Sequence, residues 1–326
     1  MTLPAFEVKI PSSLEDALSF LKEHQGNAKI IAGGTDIVPS LKQKLFEPAH
    51  LLDIKPLREL QHVREMPDGT VRIGALTTIA EVARHPLIQR EFPVLAQAAA
   101  TVAGPSLRNA GTLGGNICLD TRCYWYNQSY FWRESCGFCI KKDGTLCHVA
   151  PGSSTCWAVY SGDTAPALIT LDAKIRLSSA TGERRISLPD FFVNDGAVRN
   201  NIRPDEILTE VILPKSSRGL AGRYDKYRIR GSVDYPLAGV ALALQKSGGK
   251  ITDLRVALTA MNPRPVALPE LLPEIAGKSG EEVVQIVKRI AAKTAKPLKT
   301  SAGTMDYRRH MLGVMIQRSL RHLGLA

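Results

Sequence analysis

Outside one short window the sequence contains no cysteine. Cys118, Cys123, Cys136, Cys139, Cys147 and Cys156 all fall within residues 117–162 of a 326-residue chain. Also missing is any run of eighteen or more apolar residues, so no transmembrane helix is expected. The opening MTLPAFEVKIPSS does not run from basic to apolar as a secretory signal would, and a cytoplasmic protein is expected. Disulfides are rare in that compartment, so clustered thiols there point to a metal or to redox chemistry. There is no HExxH, no Ser/His/Asp set, no paired carboxylates and no GxGxxG after a first strand, which leaves no catalytic residue to name and no Rossmann site. The seven histidines are scattered, and only His148, beside Cys147, stands in a ligand-like position. The net charge of +11 comes from 42 Lys and Arg against 31 Asp and Glu. These cations are dispersed, with short groupings such as Arg184-Arg185 and Arg308-Arg309, and no arginine-rich tract interleaves with aromatics. They read as a solvated basic surface and not as a nucleic-acid face.

The length suggests two or three domains, and 44% hydrophobic residues are enough for a full core. Ser12-Ser13-Leu14-Glu15 reads as a capping box with Ser12 at the N-cap, opening a helix over 13–24. A short apolar strand then runs into Ile31-Ala32-Gly33-Gly34-Thr35-Asp36, where paired glycines allow close backbone approach to a ligand. Strands are expected at 51–54 and 71–76. Thr78 and Glu81 form a second capping box, and an alanine-rich helix covers 93–102. Ser106 to Asn116 (SLRNAGTLGGN) reads as a second glycine-rich turn. Two such turns in one small domain suit the two phosphates of a dinucleotide. Beyond the cysteines, 169–172 and 174–177 read as a strand pair and 207–213 as a further strand, and the polar 215–219 reads as a linker. Strands at 224–229, 237–245 and 251–260 and helices at 281–293 and 307–322 make the second domain α+β.

The six cysteines alone leave three readings open: an iron–sulfur cluster, a zinc site or ordinary thiols. The spacings are long, and Cys136-Gly137-Phe138-Cys139 is the one CxxC. The insert's aromatics, Tyr124, Trp125, Tyr126, Tyr130, Phe131, Trp132, Phe138, Trp157 and Tyr160, suit a loop that must exclude water from whatever it binds.

Taken together, AGGTD at 32–36 and RNAGTLGGN at 108–116 resemble the two FAD-pyrophosphate signatures of the medium, flavoprotein subunits of molybdenum hydroxylases, the group of xanthine and carbon monoxide dehydrogenases. GDTAPAL at 162–168, the entry Glu206-Ile207-Leu208, YDKYRIR around Lys226 and Asp306-Tyr307-Arg308-Arg309 extend the resemblance along the chain. It implies an α+β fold. A two-part FAD-binding domain of the vanillyl-alcohol-oxidase (PCMH) type would span 1–216, and a C-terminal domain of the CO dehydrogenase flavoprotein type 217–326. It assigns Ile31, Ala32, Gly33, Gly34, Thr35, Asp36, Val102, Thr112, Leu113, Gly114, Gly115, Asn116, Asp163, Leu208 and Lys226 to FAD, with Leu208 near the adenine and Lys226 approaching the isoalloxazine.

Ordinary members run almost directly from GGN to the residue matching Asp163. Here 46 residues intervene, and they resemble the [4Fe–4S] insert of 4-hydroxybenzoyl-CoA reductase flavoprotein subunits. That likeness implies Cys123, Cys139, Cys147 and Cys156 as ligands, with Cys118 left over and Cys136 a rival. The implied partners are a molybdopterin-binding large subunit, a [2Fe–2S] small subunit and an external carrier such as ferredoxin, in a heterohexamer of two heterotrimers. The implied reaction of the complex is reductive dehydroxylation of 4-hydroxybenzoyl-CoA or a related aromatic acyl-CoA. A flavin subunit for another aromatic or heterocyclic substrate is the alternative, and a zinc-stabilised nucleic-acid-binding protein is a more distant one.

Overall fold

The structure is a computed structural model, and it describes residues 2–268, 271–278, 280–299 and 303–325. The first layer is a parallel three-stranded sheet in which His50–Asp53 lies between Glu7–Lys9 and Ala28–Ile31. Helix Leu14–Glu23 crosses over it and buries Ala17, Leu18 and Leu21 against Leu52 and Ile54. Its cap lies one residue later than the sequence suggests. Ser13, not Ser12, accepts from the Asp16 amide at 3.1 Å, and Asp16 in turn accepts from the Ser12 amide at 2.8 Å. Asp16 reaches back to the chain where Glu15 was expected to do so.

The second layer is a five-stranded antiparallel sheet running, in space, Val63–Glu65, Val71–Gly74, Ile207–Leu213, Lys174–Ser179 and Gly182–Ser187. Helices Ile79–Arg84, Pro93–Thr101 and Thr164–Thr170 share its core with Ile73, Phe92, Leu95, Ile175 and Val211. Thr78 caps the first of these helices, as its sequence suggests, by accepting from the Glu81 amide at 3.1 Å. Residues 169–172 are not a strand. Thr164–Thr170 is a fully buried helix, and the strand Lys174–Ser179 pairs with Gly182–Ser187. A short, mostly apolar run of that length does not distinguish a buried helix from a strand.

The third layer is antiparallel, in the order Val266–Ala267, Lys250–Thr259, Ala238–Ser247, Ala221–Tyr227. Its central strand alternates large and small residues. Val240, Leu242 and Leu244 face the core beneath helices Gly280–Thr294 and Met305–His322, whereas Ala241 and Ala243 join the core of the second layer. Small residues on that face let the sheet approach closely: a Cβ on Gly222 would lie 2.8 Å from the Cβ of Val94. The polar segment expected to be a linker is a single tight turn, Lys215–Ser217. It is pinned by the Ser217 hydroxyl donating to the Leu171 carbonyl at 2.7 Å. The two halves therefore pack as one body.

Arg308 shows how the C-terminal helix is seated. It is 1% exposed, pairs with no carboxylate among the described residues, and donates to the carbonyls of Ala260, Leu237 and Leu298 at 2.7, 2.8 and 2.9 Å. Burial pulls its guanidinium down to about 10. Arg308→Leu leaves three buried carbonyls without a donor and should destabilise the chain by on the order of 3 kcal/mol. Urea unfolding of the two forms checks this, and coincident transitions would show that the carbonyls find other donors.

Candidate functional site

Two loops define the main cleft, a cavity of about 640 Å³. The first follows strand Ala28–Ile31, with Gly34 at φ +72°, a left-handed turn that glycine adopts without strain. The second is not a single turn. Two short helices, Pro105–Ala110 and Leu113–Ile117, meet at Gly111-Thr112. The loops touch directly, because a Cβ on Gly33 would fall 2.0 Å from the Ala110 carbonyl oxygen. Gly114 is equally confined, with the Ala75 Cβ 2.8 Å from where its own would be.

Of the residues assigned to FAD, Ala32, Gly33, Gly34, Thr35, Asp36, Val102, Thr112, Gly114, Gly115, Asn116, Asp163 and Leu208 line this cleft. Three stand behind its wall. Ile31 ends the strand, its carbonyl taken by the Ile54 amide. Leu113 is fully buried in the core. Lys226 is 2% exposed and donates to Asp163 at 2.9 Å and to the Thr101 carbonyl at 3.2 Å, so it braces the cleft instead of facing it. Thr112 uses its hydroxyl oxygen to accept from the Gly115 amide at 3.1 Å. Asn116 accepts from the Thr164 amide and hydroxyl at 3.2 and 2.6 Å, which ties the second loop to the helix that Asp163 begins.

Asp163 is buried, and burial pushes its carboxyl up, while Lys226 and the Tyr224 hydroxyl, donating at 2.6 Å, pull it down. Burial correspondingly lowers Lys226, against the pull of Asp163. The pair is a buried contact through one hydrogen bond, with Tyr224 donating a second to Asp163, and loss of either partner strands the other. Sequence reading missed Tyr224. It lies two residues before Lys226 on one strand and so on the same face. It missed Ser161 and Asp120 as well. The Ser161 hydroxyl borders the cleft, buried and, among the described residues, without a hydrogen-bond partner; Asp120 borders it too, its carboxyl held down against burial by Lys141, Arg199 and the Tyr126 hydroxyl. An unsatisfied hydroxyl in a cleft floored by glycines fits a polar ligand that approaches backbone closely, and these residues fit FAD.

The insert sits beside this cleft. It is mostly irregular, with one helix, Tyr130–Ser135, and its neck is closed by a bridge between Arg122 and Val159. A second, small cavity inside it is lined by Cys123, Cys139, Cys147 and Cys156, with Trp125, Tyr126, Lys141 and His148 among the other walls. Cys136 lies outside this cavity as the C-cap of Tyr130–Ser135, and Cys118 lines the main cleft. Burial pushes Cys118 and Cys123 up to about 11 and Cys156 up to about 12. Among the described residues no three His, Cys, Asp or Glu side chains converge closely enough to hold a single metal ion. His148 stacks on Trp125 with ring centres 4.5 Å apart and bonds to the Phe138 carbonyl. The aromatics only partly wall the cavity. Tyr126 and Tyr160 are buried, but Tyr124, Tyr130 and Phe131 are 54%, 44% and 78% exposed.

Two buried charges stand between the cavities. Lys141, in the wall of the cysteine cavity, donates to Asp120, in the wall of the cleft, at 2.9 Å and to the Thr121 carbonyl at 2.9 Å. Its ammonium also lies 4.2 Å from the Tyr126 ring centre. Burial lowers Lys141 and raises Asp120, but Lys141 and Arg199 outweigh burial at Asp120 and hold it below its usual value.

Residues 4–216 match the family described as the FAD binding domain in molybdopterin dehydrogenase, and residues 223–323 match the CO dehydrogenase flavoprotein C-terminal domain. The chain belongs to this family of flavin subunits. It is 29% identical to the carbon monoxide dehydrogenase medium chain of Hydrogenophaga pseudoflava over 98% of this chain and 97% of that one. It is 31% identical to the nicotinate dehydrogenase FAD-subunit of Eubacterium barkeri over 74% of this chain and 69% of that one. The solved structure of carbon monoxide dehydrogenase from H. pseudoflava superposes with a TM-score of 0.80 at 28% identity, covering 98% of both chains. The fold is thus an FAD-binding domain followed by a CO dehydrogenase flavoprotein C-terminal domain, and the chain is a flavin subunit of a molybdenum hydroxylase family oxidoreductase. Among the described residues no helix is long and apolar enough to cross a membrane.

Gly33→Ala tests the cleft, since the added methyl must displace the Ala110 carbonyl and part the two loops. Purified with its partners, this variant should carry less than a tenth of the wild-type flavin, whereas Gly231→Ala, with open space at its Cβ and outside the cleft lining, should serve as a control for handling. Full flavin occupancy in Gly33→Ala would remove the loop contact from the account.

Proposed function

We propose that this chain relays electrons between an external carrier and the rest of a molybdenum oxidoreductase, through FAD in the main cleft and a [4Fe–4S] cluster in the insert. One observation carries the second half of this reading. Four cysteines spread over residues 123–156 line one small buried cavity, and the two remaining cysteines do not. Four thiols on one cavity match the four cysteine ligands that a [4Fe–4S] cluster takes. Bound FAD can exchange electrons singly or in pairs, which lets it join carriers of both kinds. The chain's own residues hold and shield. The glycine loops admit the phosphates, Asp163 is fixed by Tyr224 and Lys226 to meet the ligand's hydroxyls, and Leu208 offers an apolar wall.

In this reading the substrate reacts on a molybdopterin-binding large subunit and electrons pass through a [2Fe–2S] small subunit. Ferredoxin is the expected class of external carrier, two heterotrimers make up the assembly, and the cytoplasm is its compartment. The insert supports reductive dehydroxylation of 4-hydroxybenzoyl-CoA or a related aromatic acyl-CoA. The second reading is a flavin subunit serving a different substrate, and its support is that the named relatives act in carbon monoxide and nicotinate dehydrogenases.

Anaerobic purification followed by iron, sulfide and flavin analysis should give about four iron and four sulfide per FAD on this subunit. Cys123→Ser and Cys147→Ser should lose the iron and Cys136→Ser should keep it. Zinc in place of iron, or iron that survives both ligand substitutions, would end the cluster assignment.

A further inference from the structure

We propose that Arg122 is the positioning residue through which the insert holds the flavin cleft in shape, so that emptying the cysteine cavity weakens FAD binding. The metal-dependent half of this proposal rests on the cluster reading above.

Arg122 reaches three places at once. Its guanidinium donates to the carboxylate of Asp36, in the first glycine loop, and to the Tyr235 hydroxyl at 2.7 Å. It also lies 4.7 Å from the centre of the Tyr235 ring. Asp36 and Tyr235 both line the cleft, and they come from distant parts of the chain. One insert side chain therefore joins a loop of the first layer to the loop that precedes the central strand of the third. Asp36 has little else to hold it. It makes no side-chain cap on the helix that follows, and its other contact is the Asp120 amide at 3.5 Å, itself part of the insert.

The backbone of Arg122 is in turn fixed by the neck of the insert. Its amide donates to the Val159 carbonyl at 2.7 Å, and the Val159 amide donates back at 2.9 Å. Two of the four cavity cysteines flank this neck, Cys123 immediately after Arg122 and Cys156 three residues before Val159. Cys156 also anchors the neighbouring 193–200 loop. Its amide donates to Asp195 at 3.2 Å and its carbonyl accepts from the Gly196 amide at 2.8 Å. That loop carries Arg199, which borders the cleft and pairs with Asp120 at 3.5 Å. Whatever fills the cysteine cavity ties Cys123 to Cys156, and so ties the neck that aims Arg122. Without it, the neck is left to the two-bond bridge and to polar ties such as Lys141 to the Thr121 carbonyl and the Thr121 hydroxyl to the Gly196 carbonyl, and the ordering entropy of so irregular a loop then weighs against the ion pair. Linkage makes the coupling reciprocal, so bound FAD should retard loss of the cluster.

The test measures FAD affinity by fluorescence quenching on the deflavinated complex, in iron-loaded and chelator-stripped forms, for wild type, Arg122→Gln and Arg122→Lys. Arg122→Gln should bind FAD about tenfold more weakly, a typical coupling magnitude, and Arg122→Lys should recover most of that. Stripping iron should weaken the wild type about as much and Arg122→Gln no further. Rescue by lysine and loss of the iron effect in Arg122→Gln are not expected of a residue needed only for folding. Equal affinity of Arg122→Gln and wild type overturns the positioning role, and an equal iron effect in both overturns the route through Arg122. A complex that holds no iron on this subunit defeats the cluster reading and the metal dependence together. Even then, Arg122→Gln must weaken FAD binding or the positioning role falls by itself.

Discussion

The contact between Gly33 and Ala110 is the constraint on which the site depends. Two loops from distant parts of the first two layers are pressed together so closely that no side chain fits between them. The cost is a restricted pair of sequences, and the gain is a cleft whose floor is backbone, open to a ligand too bulky and too charged to tolerate intervening side chains. Beside that floor the buried Ser161 hydroxyl has no hydrogen-bond partner among the described residues, an arrangement that a folded protein retains where a ligand completes it.

The C-terminal layer belongs to this site and is not an appendage. Its edge strand Ala221–Tyr227 supplies Tyr224 and Lys226, which meet at Asp163, and its approach is set by the alternation of alanine with larger residues along Ala238–Ser247. The insert is attached by charge more than by apolar area. Its small core joins Leu45 to Tyr126 and Cys139, while Arg133, 1% exposed, donates to the Lys44 carbonyl at 3.1 Å and pairs with Asp143 at 3.3 Å. Lys141 and Asp120 make the buried junction with the flavin cleft. A segment held by so few apolar contacts is expected to need its metal to stay ordered.

Local chemistry was legible in the sequence, and long-range chemistry was not. Gly33 and Gly114 stand where a Cβ would collide with the facing chain and Gly34 where the backbone is left-handed, and twelve of the fifteen positions assigned to FAD do line the cleft. The separation of four cysteines from the other two followed from the resemblance and not from their spacing, which by itself left Cys136 a rival. Misreadings came where one pattern serves two structures. Ser12 was read as the cap, yet Ser13 offers the same hydroxyl one residue later, and 169–172 was read as a strand although its backbone lies at the end of a buried helix. Arg122, Tyr235 and Lys141 escaped notice because their partners are distant in sequence, Asp36 lying 86 residues from Arg122 and Tyr235 lying 113. Lys226, assigned to the ligand, contacts Asp163 from behind the cleft wall, and sequence does not show on which side of a buried pair the cleft lies.

The claim that one chain carries both a flavin and an iron cluster is tested most directly by anomalous diffraction at the iron edge from crystals of the anaerobically purified complex. The account predicts four iron positions within the cavity of Cys123, Cys139, Cys147 and Cys156, with Cys118 and Cys136 free. A single zinc peak there, or four reduced thiols around an iron-free cavity in a chain that still holds FAD, would contradict it.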